Sequence, residues 1–260
     1  MGLFVLLANH AARRRVASGN LSQAVFTPLN LALIAFELFV LVLVISVHDC
    51  AQAWAANRLG DPTARMLGRL TLNPAKHYNA WGMAISPLLA VFLFANPLPF
   101  GWGAPVPMTY RNFRTKYGET LAVLAGPAAQ VLVAMLSLVV LLVLKHTVSG
   151  VAESIGAVVP LVLYHVPVVD LSALPSIFPL LLLLYMLITM NLLLCILNLF
   201  PLPFFDGGRI LAYFLPYNAA QAFERYSMYF VFAFFLLARP LTMLFFSPLL
   251  AIFNALLQGI

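Results

Sequence analysis

Ser46-Val47-His48-Asp49-Cys50-Ala51-Gln52-Ala53-Trp54 sets an imidazole, a carboxylate and a carboxamide inside an apolar stretch. Ionisable residues at membrane depth are costly and mark functional positions. Helical spacing puts His48 and Gln52 on one face, one turn apart, with Asp49 beside them. A zinc-dependent hydrolytic site would read His-Glu-x-x-His in this frame. Its two imidazoles at i and i+4 would bind the metal, and its glutamate would activate a bound water. Here Asp49 stands at the glutamate position and Gln52 at the second histidine position.

The two changes bear directly on that chemistry. Catalytic zinc takes three protein ligands from nitrogen, sulfur or carboxylate, plus an open position for water. Gln52 offers a neutral amide oxygen, a weak partner for zinc. Asp49 keeps a carboxylate on a stem one methylene shorter, which withdraws it by about 1.5 Å. A misplacement near 1 Å can cost about 100-fold in rate. Cys50 projects away from His48 and is a poor substitute ligand. His77 could serve only if the loop after the helix folds back. Cys50 and Cys195 both lie in apolar helical stretches and read as small buried hydrophobes, not as a disulfide.

The elements that carry these residues belong to a membrane. The 260 residues are 63% hydrophobic and 8% charged, with mean hydropathy +0.99. This composition excludes an ordinary soluble domain and predicts an all-α integral membrane protein, a bundle of about four to six transmembrane helices. The net charge of +6 fits contact with anionic headgroups in a lipid bilayer, and no basic-aromatic stripe suggests nucleic acid.

In chain order, residues 1–28 read as an interfacial segment. Their apolar run is too short to cross, and Arg13-Arg14-Arg15 follow it, which argues against a cleaved signal peptide. Leu29 to Ala56 is the first span. It carries Glu37, which faces the same way as His48 from about 16 Å along the axis and suits a contact with a neighbouring helix or an interface better than a relay. Basic clusters at Arg58–Lys76 and Arg111–Lys116 flank the short apolar run Trp81–Ala95. Residues 81–108 therefore read as a re-entrant, extended element, tolerated at depth where protein or a wet cavity covers it. An open edge there could hold an extended peptide through main-chain hydrogen bonds.

Glu119 to Leu144 is the second span, with Gly126-Pro127 inside it and Gln130 one turn on. Residues 145–176 read as a mixed loop in which His146, His165 and Asp170 have no partner at ligand spacing. Phe178 to Phe200 is the third span, with Asn191 and Asn198 on one inward face. Prolines at 201 and 203 end it, and Asp206 stands just before a new helix start. Tyr226 to Phe246 is the last span, and 247–260 an apolar tail. The core then runs over 29–216 and a C-terminal helix and tail over 217–260. The basic loops put His48 and Asp206 on the cytoplasmic side, and the same assignment puts Arg13–Arg15 on the opposite side, against the rule.

In order and spacing, a set of short motifs resembles the site-2 protease family of intramembrane zinc metalloproteases, in its compact branch without a PDZ domain. The set comprises Val47-His48 with Ala53-Trp54, Asn57 to Arg65, Gly68 to Pro74 with His77, Gly101-Trp102, Pro105-Val106-Pro107, Arg111 to Arg114, Ala125-Gly126-Pro127, and Asn198 to Arg209. It covers about residues 30–216. The resemblance implies metal-ligand positions at His48, Gln52 and Asp206, the general-base position at Asp49, and a substrate or partner groove at Gly126, Pro127, Gln130 and Asn198. Three of these depart from the family: Asp49, Gln52 and Gln130 replace its Glu, His and Asn.

The framing residues are kept and the metal chemistry is altered. That pattern implies a proteolytically impaired member, a pseudoprotease acting as a membrane-embedded binding or assembly subunit, with zinc held weakly or not at all. Its partner would be a transmembrane helix or extended peptide of another protein. The alternative is an active intramembrane zinc metalloendopeptidase with a non-standard metal site. Either would be a multi-pass protein of a prokaryotic cytoplasmic membrane.

Overall fold

The structure is a computed structural model that describes residues 28–92, 99–164 and 174–259. The N-terminal segment with Arg13–Arg15, and His165 and Asp170, lie outside the described residues. All regular structure among the described residues is helical.

Helix α1, Pro28–Arg58, is an almost unbroken run of Leu, Val, Ile, Phe and Ala. Its 31 residues reach about 46 Å, enough to cross a bilayer with some tilt. It ends at Gly60, whose φ of 114° suits glycine alone. A Cβ there would lie 2.9 Å from the Asn112 carbonyl oxygen. The chain then turns through Asp61 into the single turn α2, Thr63–Met66.

Asp61 is fully buried and fastens two loops together. Its carboxylate accepts from the backbone N–H of Thr63 at 3.1 Å and of Thr109 at 2.7 Å, and from Asn112 Nδ2 at 2.9 Å. Burial alone would push this carboxyl up. The hydrogen bonds from Thr63, Asn112 and Thr109 outweigh it and hold the group below the ordinary carboxylate value.

Residues 81–108 begin as helix. A π-helical turn at Trp81–Ile85 runs into α3, Ser86–Phe92. From residue 99 to 109 the backbone has no regular secondary structure. Helix α4, Gly118–Thr147, follows, with Pro127 inside it.

Residues 145–176 are not the mixed loop the sequence suggested. Helix α4 continues to Thr147, and α5, Val151–Tyr164, fills 14 of these positions despite Pro160. The apolar run Ala157–Leu163 decides it, and Val158, Leu161 and Val162 pack into the core. His146 lies in the last turn of α4, where its Nδ1 bonds the Leu142 carbonyl at 2.8 Å.

Helix α6, Phe178–Leu199, is the most enclosed element. Leu181, Tyr185, Met186, Ile188, Met190, Leu192 and Leu193 are completely buried. It packs mainly on α4, and also on α1 and α5. The break at Phe200-Pro201-Leu202-Pro203 leads to α7, Asp206–Phe214, whose first residue is the aspartate. An acidic group there complements the positive end of the helix dipole. Helix α8, Tyr217–Arg225, precedes α9, Ser227–Gly259.

The apolar tail, as far as Gly259, is part of α9, which continues through Pro248. It docks on the bundle: Lys145 Nζ donates to the Leu257 carbonyl at 2.9 Å, and Tyr185 Oη to Asn254 Oδ1 at 3.0 Å. A cation at a helix C-terminus satisfies its orphan carbonyls. Among the described residues, three helices are long and apolar enough to cross a membrane: Asn30–Arg58, Gly118–Thr147 and Phe178–Leu199. The chain is a multi-pass membrane protein.

Candidate functional site

The long helices bring the sequence-selected residues to one place. Helix α1 supplies His48, Asp49 and Gln52, α7 supplies Asp206, α4 supplies Gly126 and Gln130, and α6 supplies Asn198. His48 and Asp206 are 158 positions apart in the chain, and His48 Nε2 lies 2.8 Å from Asp206 Oδ2. Both are buried. Gly126 makes the approach feasible, since a Cβ there would sit 2.3 Å from His48 Nε2. Pro127 is buried beside it in α4.

Gln52 completes a closed polar triad. Its Nε2 donates to Asp206 Oδ2 at 2.8 Å and to the Val123 carbonyl of α4 at 3.1 Å. Both partners are acceptors, so the NH₂ end of this amide is fixed by them and not by choice of orientation. Gln52 therefore acts as a donor at this point.

The loop after α1 does fold back, which brings in His77 and Arg69. His77 is fully buried. Its Nε2 bonds the Thr71 carbonyl at 2.8 Å, and its Nδ1 faces Asp49 Oδ2 at 3.3 Å. Arg69 Nη2 stands 3.6 Å from the same oxygen. The other oxygen, Asp49 Oδ1, is 3.1 Å from His48 Nδ1. The signals for this fold-back are short: Gly68 at φ 70°, and Asn73, whose side chain accepts from Ala75 N–H ahead of the turn at Pro74–Lys76. In the sequence Arg69 reads as one of a basic cluster and as part of the Gly68–Pro74 motif, with no contact to Asp49 implied.

These groups line a cavity of about 200 Å³, walled by His48, Asp49, Gln52, Asn79, the loop 101–106, Gln130, Asn198, residues 203–206 and Arg209. Gln130 is fully buried, and neither its Oε1 nor its Nε2 has a hydrogen-bond partner. A buried, unsatisfied carboxamide costs about 1–3 kcal/mol per lost partner. Glu37 is fully buried and is not part of the cavity wall described above.

The donor set does not complete a zinc site. Two ligands on a tetrahedral zinc stand about 3.3–3.5 Å apart at ordinary bond lengths. His48 Nε2 and Asp206 Oδ2, at 2.8 Å, would need to part by only about 0.5 Å. The third position is weak, because Gln52 turns its N–H groups toward Asp206 and Val123 and its Oε1 is a neutral amide oxygen, a poor zinc ligand beside an imidazole. Among the described residues no group of three or more His, Cys, Asp or Glu could hold a metal ion.

The model of the family described as peptidase family M50 matches residues 36–238. A protein of Bacillus subtilis (strain 168) named "putative zinc metalloprotease YwhC" is 32% identical over 187 residues, 72% of each chain. No solved structure matches significantly.

Proposed function

The chain belongs to peptidase family M50, the site-2 protease family, and from that premise we propose that it is a proteolytically impaired member. It serves as a membrane-embedded binding or assembly subunit that holds a segment of a partner membrane protein. The observation that carries this reading is the orientation of Gln52. Its amide N–H groups satisfy Asp206 and the Val123 carbonyl, so the triad His48–Asp206–Gln52 is stable as a hydrogen-bonded unit without a metal.

The partner reading rests on what remains unsatisfied. Gln130 brings a donor and an acceptor to the cavity wall with neither used. A peptide group of an extended segment offers the complementary pair. Loop 101–106 forms the facing wall, with Trp102 N–H bonded to the Gly82 carbonyl at 3.2 Å and Ala104 N–H to the His77 carbonyl at 2.9 Å. Main-chain pairing along such a loop, with Gln130 opposite, is how the groove would grip an extended peptide or the unwound end of a transmembrane helix. The Bacillus relative and the site-2 protease membership favour a prokaryotic cytoplasmic membrane as the location.

The second reading, an active intramembrane zinc endopeptidase with a non-standard site, is favoured by one observation. His48 and Asp206 stand close to the spacing of two ligands on one zinc. Metal content separates the readings. Protein purified in zinc-containing medium is expected to hold far less than one equivalent; one tightly held equivalent, with cleavage of a membrane-protein substrate, would overturn the proposal.

A further inference from the structure

We propose that Asp49 is a positioning residue. Its carboxylate clamps onto α1 the loop 69–77 and, through it, the loop 101–106 that walls the cavity, and those loops have closed around its short side chain. This goes beyond the functional proposal, since it holds whether or not the chain cleaves peptides.

The contacts converge on one oxygen. Asp49 Oδ2 faces His77 Nδ1 at 3.3 Å and Arg69 Nη2 at 3.6 Å. The same two residues grip the second loop at a single position. The His77 carbonyl accepts from Ala104 N–H at 2.9 Å, and Arg69 Nη2 donates to the Ala104 carbonyl. Each loop is thus tied to the other through Arg69 and His77, and both side chains end at Asp49. His77 is completely enclosed and the Arg69 side chain is 13% exposed. The Arg69 guanidinium, so placed, needs a carboxylate near it. Among the described residues Asp49 is the carboxylate within 4 Å of either head group.

Gly103 shows how tightly the second loop has closed. A Cβ on it would lie 2.4 Å from Asp49 Oδ2 and 2.9 Å from Ile45 Cγ2. A glutamate at position 49 would carry its carboxylate about 1.5 Å further, into space that Gly103, His77 and Arg69 occupy. It would have to push loop 101–106 away or give up its contacts with Arg69 and His77. The shorter side chain at 49 therefore fits the present wall of the cavity.

Cys50 reports on the clamp. It is partly exposed and lies against the Thr71 backbone, at the inner edge of loop 69–77. In a Cys195→Ala background, its reaction with a water-soluble maleimide measures how often that loop lifts. Arg69→Gln and His77→Gln are each expected to speed labelling by about tenfold when Asp49 is present. In an Asp49→Asn background, each should add less than about twofold, because the shared partner is already gone. The effect of position 49 on the thiol itself cancels in these ratios. Arg69→Lys keeps the charge and should label more slowly than Arg69→Gln. Equal acceleration in both backgrounds would show that the loops are held without Asp49. Asp49→Glu should also label faster than the unaltered chain, and equal rates would refute the fit to a short side chain. If the Arg69 or His77 variants do not fold, hydrogen exchange over 69–77 in Asp49→Asn decides. Faster exchange supports the clamp, and unchanged exchange rejects it.

Discussion

Gln52→His is the substitution that bears most directly on the state of the site. It removes the amide that donates to Asp206 and Val123 and supplies an imidazole one turn from His48. A hydrogen bond to a charged group contributes about 1.5–3 kcal/mol and one to a neutral carbonyl about 0.5–1.5. An imidazole N–H replaces one of the two, so the zinc-free variant should lose about 1–3 kcal/mol. For a chain of this size that lowers Tm by roughly 3–10 °C. With zinc, His48, the new imidazole and Asp206 form a three-ligand set after a parting of about 0.5 Å. Free zinc at 100 times its Kd would return about 2.7 kcal/mol, most of the loss. The assay is thermal unfolding in detergent with and without zinc, alongside elemental analysis. The unaltered chain should show no zinc-dependent shift; the variant should melt low without zinc and recover with one equivalent. A variant that takes up no zinc would mean that the three positions do not share a centre, and the geometric reasoning would fail.

Asp61→Ala should cost about 2–4 kcal/mol, because it removes the acceptor of four donors, the Thr63 hydroxyl among them, from two loops, and should expose loops 59–63 and 109–114 to protease first. The Asp61 carboxyl is held below its ordinary value, so its stabilisation is complete above the unfolded pKa near 3.8. It is lost as pH falls through the lower folded value. An acid titration of unfolding should therefore show a component between these values that Asp61→Asn removes. Gly126→Ala puts a methyl 2.3 Å from His48 Nε2; it should cost about 1–3 kcal/mol and abolish zinc uptake in the Gln52→His chain. Lys145→Met removes the donor to the Leu257 carbonyl; it should cost about 0.5–1.5 kcal/mol and speed proteolysis near Gly259.

The site was legible in the sequence wherever a residue type carried its own cost. A histidine and an aspartate in apolar surroundings cannot be idle at membrane depth, and motif order tied His48 to Asp206 across more than half the chain. The three membrane-crossing helices were legible for a similar reason: their apolar runs have no soluble alternative. Less was legible where proline competed with apolar packing. The stretch 145–176 reads as a loop and 247–260 as a tail, yet α5 runs through Pro160 and α9 through Pro248, because neighbouring helices reward continued burial more than one lost backbone bond costs. The role of His77 was hidden differently. Nothing local to a histidine in a basic loop says that the loop returns to its helix; only the turn residues Gly68 and Asn73 hint at it.

The two departures in the first motif are better understood through their neighbours than as losses. At position 52 a histidine without metal would leave either the Asp206 carboxylate or the Val123 carbonyl short of a donor, whereas the glutamine NH₂ serves both. At position 49 a glutamate would carry its carboxylate about 1.5 Å further, whereas the aspartate stands 3.3 Å from His77 Nδ1 and 3.6 Å from Arg69 Nη2. Each substitution is matched to groups from a different part of the chain: α4 and α7 for Gln52, the loops 69–77 and 101–106 for Asp49. The match is closer at position 52 than at position 49: Asp49 Oδ2 and His77 Nδ1 face each other at 3.3 Å without a hydrogen bond, and neither end of the Gln130 carboxamide at the cavity wall has a partner.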